Sequence, residues 1–346
     1  MIEKLKHSQL QDLILSLFDK VGLPQDKAKI TSHILLEGEL LGHRTHGLHL
    51  MMPYIEHLRN GSMEKVGSYK VLNKTPASQL WDGQYLAGPW LVNSALMAAT
   101  DMADGYGVGT IVIQKSSHIG CLAAYMQEAS QNGHLVILSC SDPDNATVAP
   151  FGGTEGVYGP NPLALGIPTS SDPIIIDASM SATSNGLIHQ KHQAKEPLEH
   201  PWLITPNGEP TKDAETFFDK EPSTILPLGG IDSGYKGFAL GIMIEAMTSA
   251  LGGYGRSSEP DRWGASAFVQ VINPQKFSGE SYFKREMDFL KKRCLASKPA
   301  NDVMPVRLPG QRGLELKKKQ LLGGITLRPE TLAGLNNLAS QFEIEF

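Results

Sequence analysis

Residues 43–49 read His-Arg-Thr-His-Gly-Leu-His, so three histidines, an arginine and a hydroxyl side chain fall within seven positions. Imidazole has an ordinary pKa of about 6.5, which suits it to moving a proton near neutrality. His46 is the candidate acid/base, and the hydroxyl of Thr45 can orient its ring. The other reading of this stretch is a polar helix start with solvated histidines. A metal site is not expected here, because no HExxH spacing appears and no carboxylate lies within the cluster.

A second segment, Ser116-Ser117-His118-Ile119-Gly120, follows an apolar strand pattern and precedes a helical one. Strand-to-helix turns are where α/β proteins place ligands, and free N–H groups at the helix start favour anions. The competing reading is a helix cap by Ser116 or Ser117 beside a surface histidine. Ile176-Asp177-Ala178-Ser179 puts an acid and a small hydroxyl at a strand end, suited to a ribose or to fixing a histidine. In isolation it also reads as a strand terminus with turn-forming serines. Glycines cluster at 152–153, 229–230, 234–237 and 310–313, where backbone can turn tightly or approach a ligand. They form neither a Walker A loop, since Lys236 is followed by Gly237, nor a GxGxxG opening a helix after a first strand.

The elements that must position these residues are legible from periodicity. Leu10, Leu13, Ile14, Leu17 and Val21 recur at helical spacing, a second helix runs from Pro24 toward Leu41, and a third follows His43–Gly47 to Asn60. From about residue 75 to 275 strands alternate with helices. Strands are expected at 109–114, 135–139, 173–177 and 267–273, and helices at 95–103, 121–132 and 237–251. The remainder, 283–346, is helix-rich and charged. The fold class expected is α/β, with a cofactor-sized α/β domain over 76–275. It is inserted between the parts, 1–75 and 276–346, of one discontinuous helical domain for substrate binding and dimerisation.

The chain has 346 residues, enough for about two domains. Its net charge of −5 argues against a general nucleic-acid binder. Three cysteines without a CxxC pair argue against a disulfide framework and against a structural zinc site of cysteines, and suit a reducing compartment; no metal is expected. The N-terminal residues show no signal-peptide pattern and no stretch is apolar enough to span a membrane, so a cytoplasmic protein is expected.

The order of these segments resembles the type-2 malate/L-lactate dehydrogenase family, which includes sulfolactate, ureidoglycolate and diketogulonate enzymes and piperideine-2-carboxylate reductases. The resemblance runs through Gly42–Gly47, Ser117–Gly120, Pro150–Gly153, Gly159–Pro162, Asp177–Ser179, Leu226–Gly230, Gly234–Gly237, Asn273-Pro274 and Pro309–Arg312. It implies a non-Rossmann fold binding NAD or NADP on a mixed-sheet domain, and a homodimer with active sites near the interface. The family's proton-donor histidine falls on His46, its hydroxyl partner on Thr45, and a second acid/base histidine on His118. Cofactor contacts fall on His118, Ile119, Gly120, Cys121 and Leu122, on Ser141, on Asp177, Ala178 and Ser179, on Gly230, and on Gly310, Gln311 and Arg312.

Two positions depart from the family pattern. Leu50 stands where many members carry a carboxylate-gripping arginine, and Leu187 where some carry the aspartate of a charge relay. A bound carboxylate still needs a cationic or multi-donor partner, for which Arg44 and His49 are the first candidates and His43 and His189 the next. The resemblance implies hydride transfer between nicotinamide and a 2-hydroxy/2-oxo acid or cyclic imino acid. The alternative is a non-catalytic nicotinamide-binding relative that senses a metabolite.

Overall fold

Leu10, Leu13, Ile14, Leu17 and Phe18 bury one face of helix α1 (His7–Lys20), and Gly22 with φ +79° turns the chain into α2 (Gln25–Leu40). A computed structural model describes residues 4–300 and 305–346. After the turn of residues 41–47 comes α3 (Met51–Asn60), which buries Met51, Tyr54, Ile55 and Leu58 and ends at Gly61 in the left-handed region. These three helices share one core with the segment from Ile325 through α10 (Pro329–Gln341), so the two ends of the chain pack together. Two other late helices behave differently. Helix α8 (Glu280–Leu295) buries no residue, and α9 (Gln311–Gly323) sends Leu314 into the core of the central sheet.

That sheet has seven strands, β1 (Lys70–Lys74), β2 (Ser78–Asp82), β3 (Val108–Ser116), β4 (Leu135–Ser141), β5 (Leu163–Ile167), β6 (Ile174–Ala178) and β10 (Ala265–Ile272). The spatial order is β1-β2-β3-β10-β4-β5-β6. The β2–β3 pair is parallel and the other pairings are antiparallel, so the sheet is mixed. Helix α4 (Gly88–Tyr106) lies across β3, where its small residues let Gly109 of the strand meet the backbone of Ala99. It runs longer than the 95–103 expected, because Pro89 favours the first turn and Gly107 in the left-handed region ends it. Helix α5 (Ala123–Gln131) packs on β5 and β6. A small three-stranded sheet, β7 (Leu203–Ile204), β8 (Pro210–Thr211) and β9 (Thr224–Ile225), covers the region of α6 (Asn185–Ala194).

Helix α7 (Gly230–Glu245) starts seven residues before the expected Gly237, since the turn into it falls at Gly229 with φ +100°. Its inward stripe is Gly234, Gly237, Gly241 and Ile244. A Cβ at Gly237 would strike the backbone of Leu228, and one at Gly241 would lie 2.6 Å from the Tyr158 ring. Those two glycines serve close packing. The helix continues into a π-helical turn, Ala246–Ala250.

Candidate functional site

The turn of residues 41–47 folds back on the end of α2. The His46 N–H donates to the carbonyl of His43 at 2.8 Å, and the Leu48 N–H donates to Glu39 Oε2 at 3.2 Å. A Cβ at Gly47 would lie 2.6 Å from that carboxylate oxygen, so only glycine lets the turn close. Burial pushes the Glu39 carboxyl up, against the pull of the Leu48 N–H and of Arg44. On this support His46 Nδ1 lies 3.0 Å from Thr45 Oγ1. Helix α6 closes the other side of Thr45, with the Cα of Gly186 so near that a Cβ there would sit 3.1 Å from Thr45 Cβ.

His118 comes from the turn after β3. Ser117 Oγ accepts from the Gly88 N–H at 2.8 Å, so this serine caps α4 and not the helix that follows it. Helix α5 begins only at Ala123 with no side-chain cap. The Gly120 N–H donates to His118 Nδ1 at 3.2 Å, while Tyr54 Oη lies 3.0 Å from Nδ1 and 2.8 Å from the His118 carbonyl. An N–H can only donate, so this contact favours the neutral tautomer with its proton on Nε2. Trp263, just before β10, stacks on the His118 ring at 4.5 Å between centroids.

The two imidazoles face one another, 5.7 Å apart and 24° from parallel. Burial pushes His46 down to about 4, with the nearby His43 and His49 adding to the shift. Burial pushes His118 down to about 3, helped by His46 and His57. Both rings are therefore neutral at pH 7, and two cations at this distance are disfavoured.

A second cluster lies alongside. Asp177, at the end of β6, accepts from the Ala123 N–H at 2.9 Å at the start of α5. Cys121 Sγ sits 3.8 Å from the same carboxylate oxygen, and the ligand atoms of His43, Cys121 and Asp177 lie within 4.8 Å of one another. Burial raises the Asp177 carboxyl, opposed chiefly by His43. His43 thus turns toward the sheet, away from the role of a substrate cation.

The other candidates spread around this cluster. The Ala182 N–H and Leu228 N–H join residues 180–182 to 226–228, bringing Asp177–Ser179 beside the start of α7. Gly310, with φ +80°, presses on Ile175 of β6, two residues from Asp177. Gln311, the first residue of α9, accepts from the Leu308 N–H at 3.1 Å, and Arg312 is exposed. Ile119, Cys121 and Leu122 are buried in the sheet's core. Ser141 is buried with its hydroxyl engaged by Thr248 and Ser249 at 2.7 and 2.9 Å. His49 is exposed and Arg44 half-buried, with no ion pair to Arg44 among the described residues. Leu50 is buried in the helical core. His189 lies against Phe218 at 4.8 Å.

Tyr54 and Trp263 escaped the sequence reading. Tyr54 shares the apolar face of Met51, Ile55 and Leu58, so its burial had a signal although its partner did not. Trp263 lies 145 residues from His118, and nothing local marks that pairing.

Residues 5–336 match the family model described as malate/L-lactate dehydrogenase, and the chain belongs to that family. It is 27% identical to a malate/(S)-sulfolactate dehydrogenase of Methanothermus fervidus, covering 97% of each chain. It is also 27% identical to a ureidoglycolate dehydrogenase (NAD(+)) of Escherichia coli, over 94% of this chain and 92% of that one. The crystal structure of malate dehydrogenase from Entamoeba histolytica shares the fold, with a TM-score of 0.93 at 22% identity, covering 100% of this chain and 99% of that one. No helix among the described residues is long and apolar enough to cross a membrane.

Proposed function

We propose that this protein is an NAD- or NADP-dependent oxidoreductase acting on a 2-hydroxy/2-oxo acid or a cyclic imino acid. The observation that carries the reading is the facing pair of neutral histidines, each with a hydroxyl at Nδ1 and one with a backbone N–H there as well. The family membership and the dehydrogenase names of the relatives support it.

A dinucleotide fits the surroundings of Asp177. Gly230 opens a 16-residue helix with φ +61°, and a Cβ there would meet nothing within 4 Å, so the space beside it is open; its own N–H is held by the Pro227 carbonyl at 2.9 Å, which leaves the N–H groups of Ile231 and Asp232 for an anion. Asp177 to Ser179, Gly230 and Gly310 to Arg312 would hold the cofactor, with Ile119 to Leu122 forming the wall beneath. When bound, the nicotinamide supplies the hydride at C4. This cradle is of a non-Rossmann kind, an inference supported by the antiparallel pairings of β4, β5, β6 and β10. The division into 76–275 for the cofactor, and 1–75 with 276–346 for substrate and dimerisation, belongs to the same reading.

His46 moves the proton. With a proton on Nδ1 donated to Thr45 Oγ1, Nε2 is free to take the substrate's hydroxyl proton during oxidation. The reverse reaction needs a charged ring, which its low pKa disfavours until an anionic substrate or cofactor lies beside it. His118 holds Nε2–H toward the substrate oxygen. Arg44 and His49 are the side chains assigned to receive a carboxylate; Leu50, buried in the helical core, leaves no cation at its position, and Leu187 no carboxylate at its own.

A homodimer is part of the proposal. Ile231, Tyr235, Leu240, Ile242 and Met243 of α7 lie outward and are 38–53% exposed, a face a second copy would cover.

The test is a panel of oxo and imino acids with NADH and NADPH, read at the reduced-nicotinamide absorbance. Turnover on one class, lost in His46→Ala, is expected. Nicotinamide binding without turnover on any member would favour the sensor; no binding of either cofactor would refute both.

A further inference from the structure

We propose that His43, Cys121 and Asp177 form a zinc site in the cofactor-free protein, and that zinc there excludes the dinucleotide. The exclusion rests on the placement of the cofactor argued above; the metal site does not.

The three ligands come from three places in the fold, the α2–α3 turn, the β3–α5 turn and the end of β6. Residues 43–49 alone contain no carboxylate, so spacing in the sequence points away from a metal. Folding adds a carboxylate and a thiol. One donor atom from each residue lies within 4.8 Å of the others, and Sγ is already 3.8 Å from Asp177 Oδ2. Tetrahedral zinc, with bonds of about 2.0–2.3 Å, sets its ligand atoms roughly 3.3–3.7 Å apart. Closing the remaining gap takes a shift of roughly an ångström.

The donor set is specific. One thiolate, one imidazole and one carboxylate suit zinc and cobalt(II) and are poor for magnesium or calcium, which take oxygen ligands. Three protein ligands leave a fourth position for water. His43 and Asp177 are half-buried, so the site is reachable, while Cys121 is 3% exposed and forms its floor. On binding, the Cys121 thiol releases its proton to solvent and its sulfur bonds to the metal. His43 binds through a neutral nitrogen. Asp177 keeps the N–H of Ala123 on Oδ2 and offers its remaining lone pairs. Zinc then occupies the carboxylate that the cofactor reading assigns to the dinucleotide.

Cobalt(II) reports the site directly. One equivalent added to chelator-treated full-length protein should give the visible bands of tetrahedral cobalt and a near-ultraviolet thiolate-to-metal band. Cys121→Ala keeps the Cβ that packs on Gly38, and it should abolish the thiolate band and weaken zinc binding at least about tenfold. Cys140→Ala and Cys294→Ala should keep the band. Asp177→Asn, which can still accept from the Ala123 N–H, should weaken binding without loss of fold by circular dichroism. A thiolate band that survives Cys121→Ala, or no tetrahedral spectrum in the wild type, overturns the metal site.

Zinc at saturation should raise the apparent Kd for NADH about tenfold or more. NADH fluorescence titrated without metal checks the cofactor reading separately. NADH binding that zinc leaves unchanged overturns the exclusion. If neither NADH nor NADPH binds, the cofactor reading and the exclusion fall together, while the cobalt spectrum still decides the metal site.

Discussion

His46 and His118 lie face to face, but the chain holds them in opposite ways. His46 rests on a side-chain hydroxyl, which donates or accepts as the ring requires. His118 also has a hydroxyl at Nδ1, that of Tyr54, whose proton goes to the His118 carbonyl, and it rests in addition on the N–H of Gly120, which only donates. Thr45 can follow a change in the protonation of its partner; the Gly120 N–H opposes one at Nδ1. Desolvation depresses the pKa of both rings, so burial does not distinguish them. The group on Nδ1 does. Proton transfer needs the adaptable partner, and a fixed hydrogen-bond donor needs the rigid one.

Substitutions can break this comparison. His46→Ala should lower kcat by on the order of 10²–10⁴, the usual worth of an acid–base group. His118→Gln keeps an N–H donor near the same place. It should cost roughly ten- to a hundredfold in kcat/KM, the scale of one hydrogen bond to a charged or developing-charge group. Equal losses in steady-state kinetics would erase the distinction between the two rings. Thr45→Val should lower kcat by about tenfold and alter the pH profile, with Thr45→Ser restoring both. Failure of serine to rescue would make Thr45 a packing residue.

Stability against pH sharpens the same point with a smaller effect. A histidine held near 3 or 4 in the fold and near 6.5 when unfolded binds fewer protons in the native state. The stability it contributes is present above about pH 6.5 and is lost as pH falls toward 4. Wild type should therefore lose stability relative to His118→Gln between pH 6.5 and 4.5 in urea denaturation, and match its slope above pH 7. The smallest effect is expected for Tyr54→Phe, about 1 kcal/mol of stability for one buried hydrogen bond, with the fold retained.

The turn at 42–47 was legible because its chemistry is local. Histidine, hydroxyl and glycine stand side by side, and the glycine is required by a carboxylate eight residues earlier in the chain. The strands of 109–114, 135–139, 173–177 and 267–273 were legible as buried apolar runs, and they appear as β3, β4, β6 and β10. Strands β1 and β2 were not. Every residue of β1 is exposed, so no burial pattern marks it. The glycine surplus was legible only as a surplus. Gly230 and Gly310 bend the backbone near Asp177, whereas Gly237 and Gly241 let α7 settle on Leu228 and Tyr158. Composition cannot separate those uses, because both follow from the missing Cβ. The stacking of Trp263 on His118 and the grouping of His43, Cys121 and Asp177 depend on sheet order, which residue spacing does not encode.

The central claim, that the two histidines divide the proton work, is tested most directly by long-range ¹H–¹⁵N NMR of the imidazole nitrogens between pH 4.5 and 8. The account predicts a neutral His118 ring protonated on Nε2 throughout, with Nδ1 unprotonated. A His118 ring that carries its proton on Nδ1, or that titrates near pH 6.5, would contradict it.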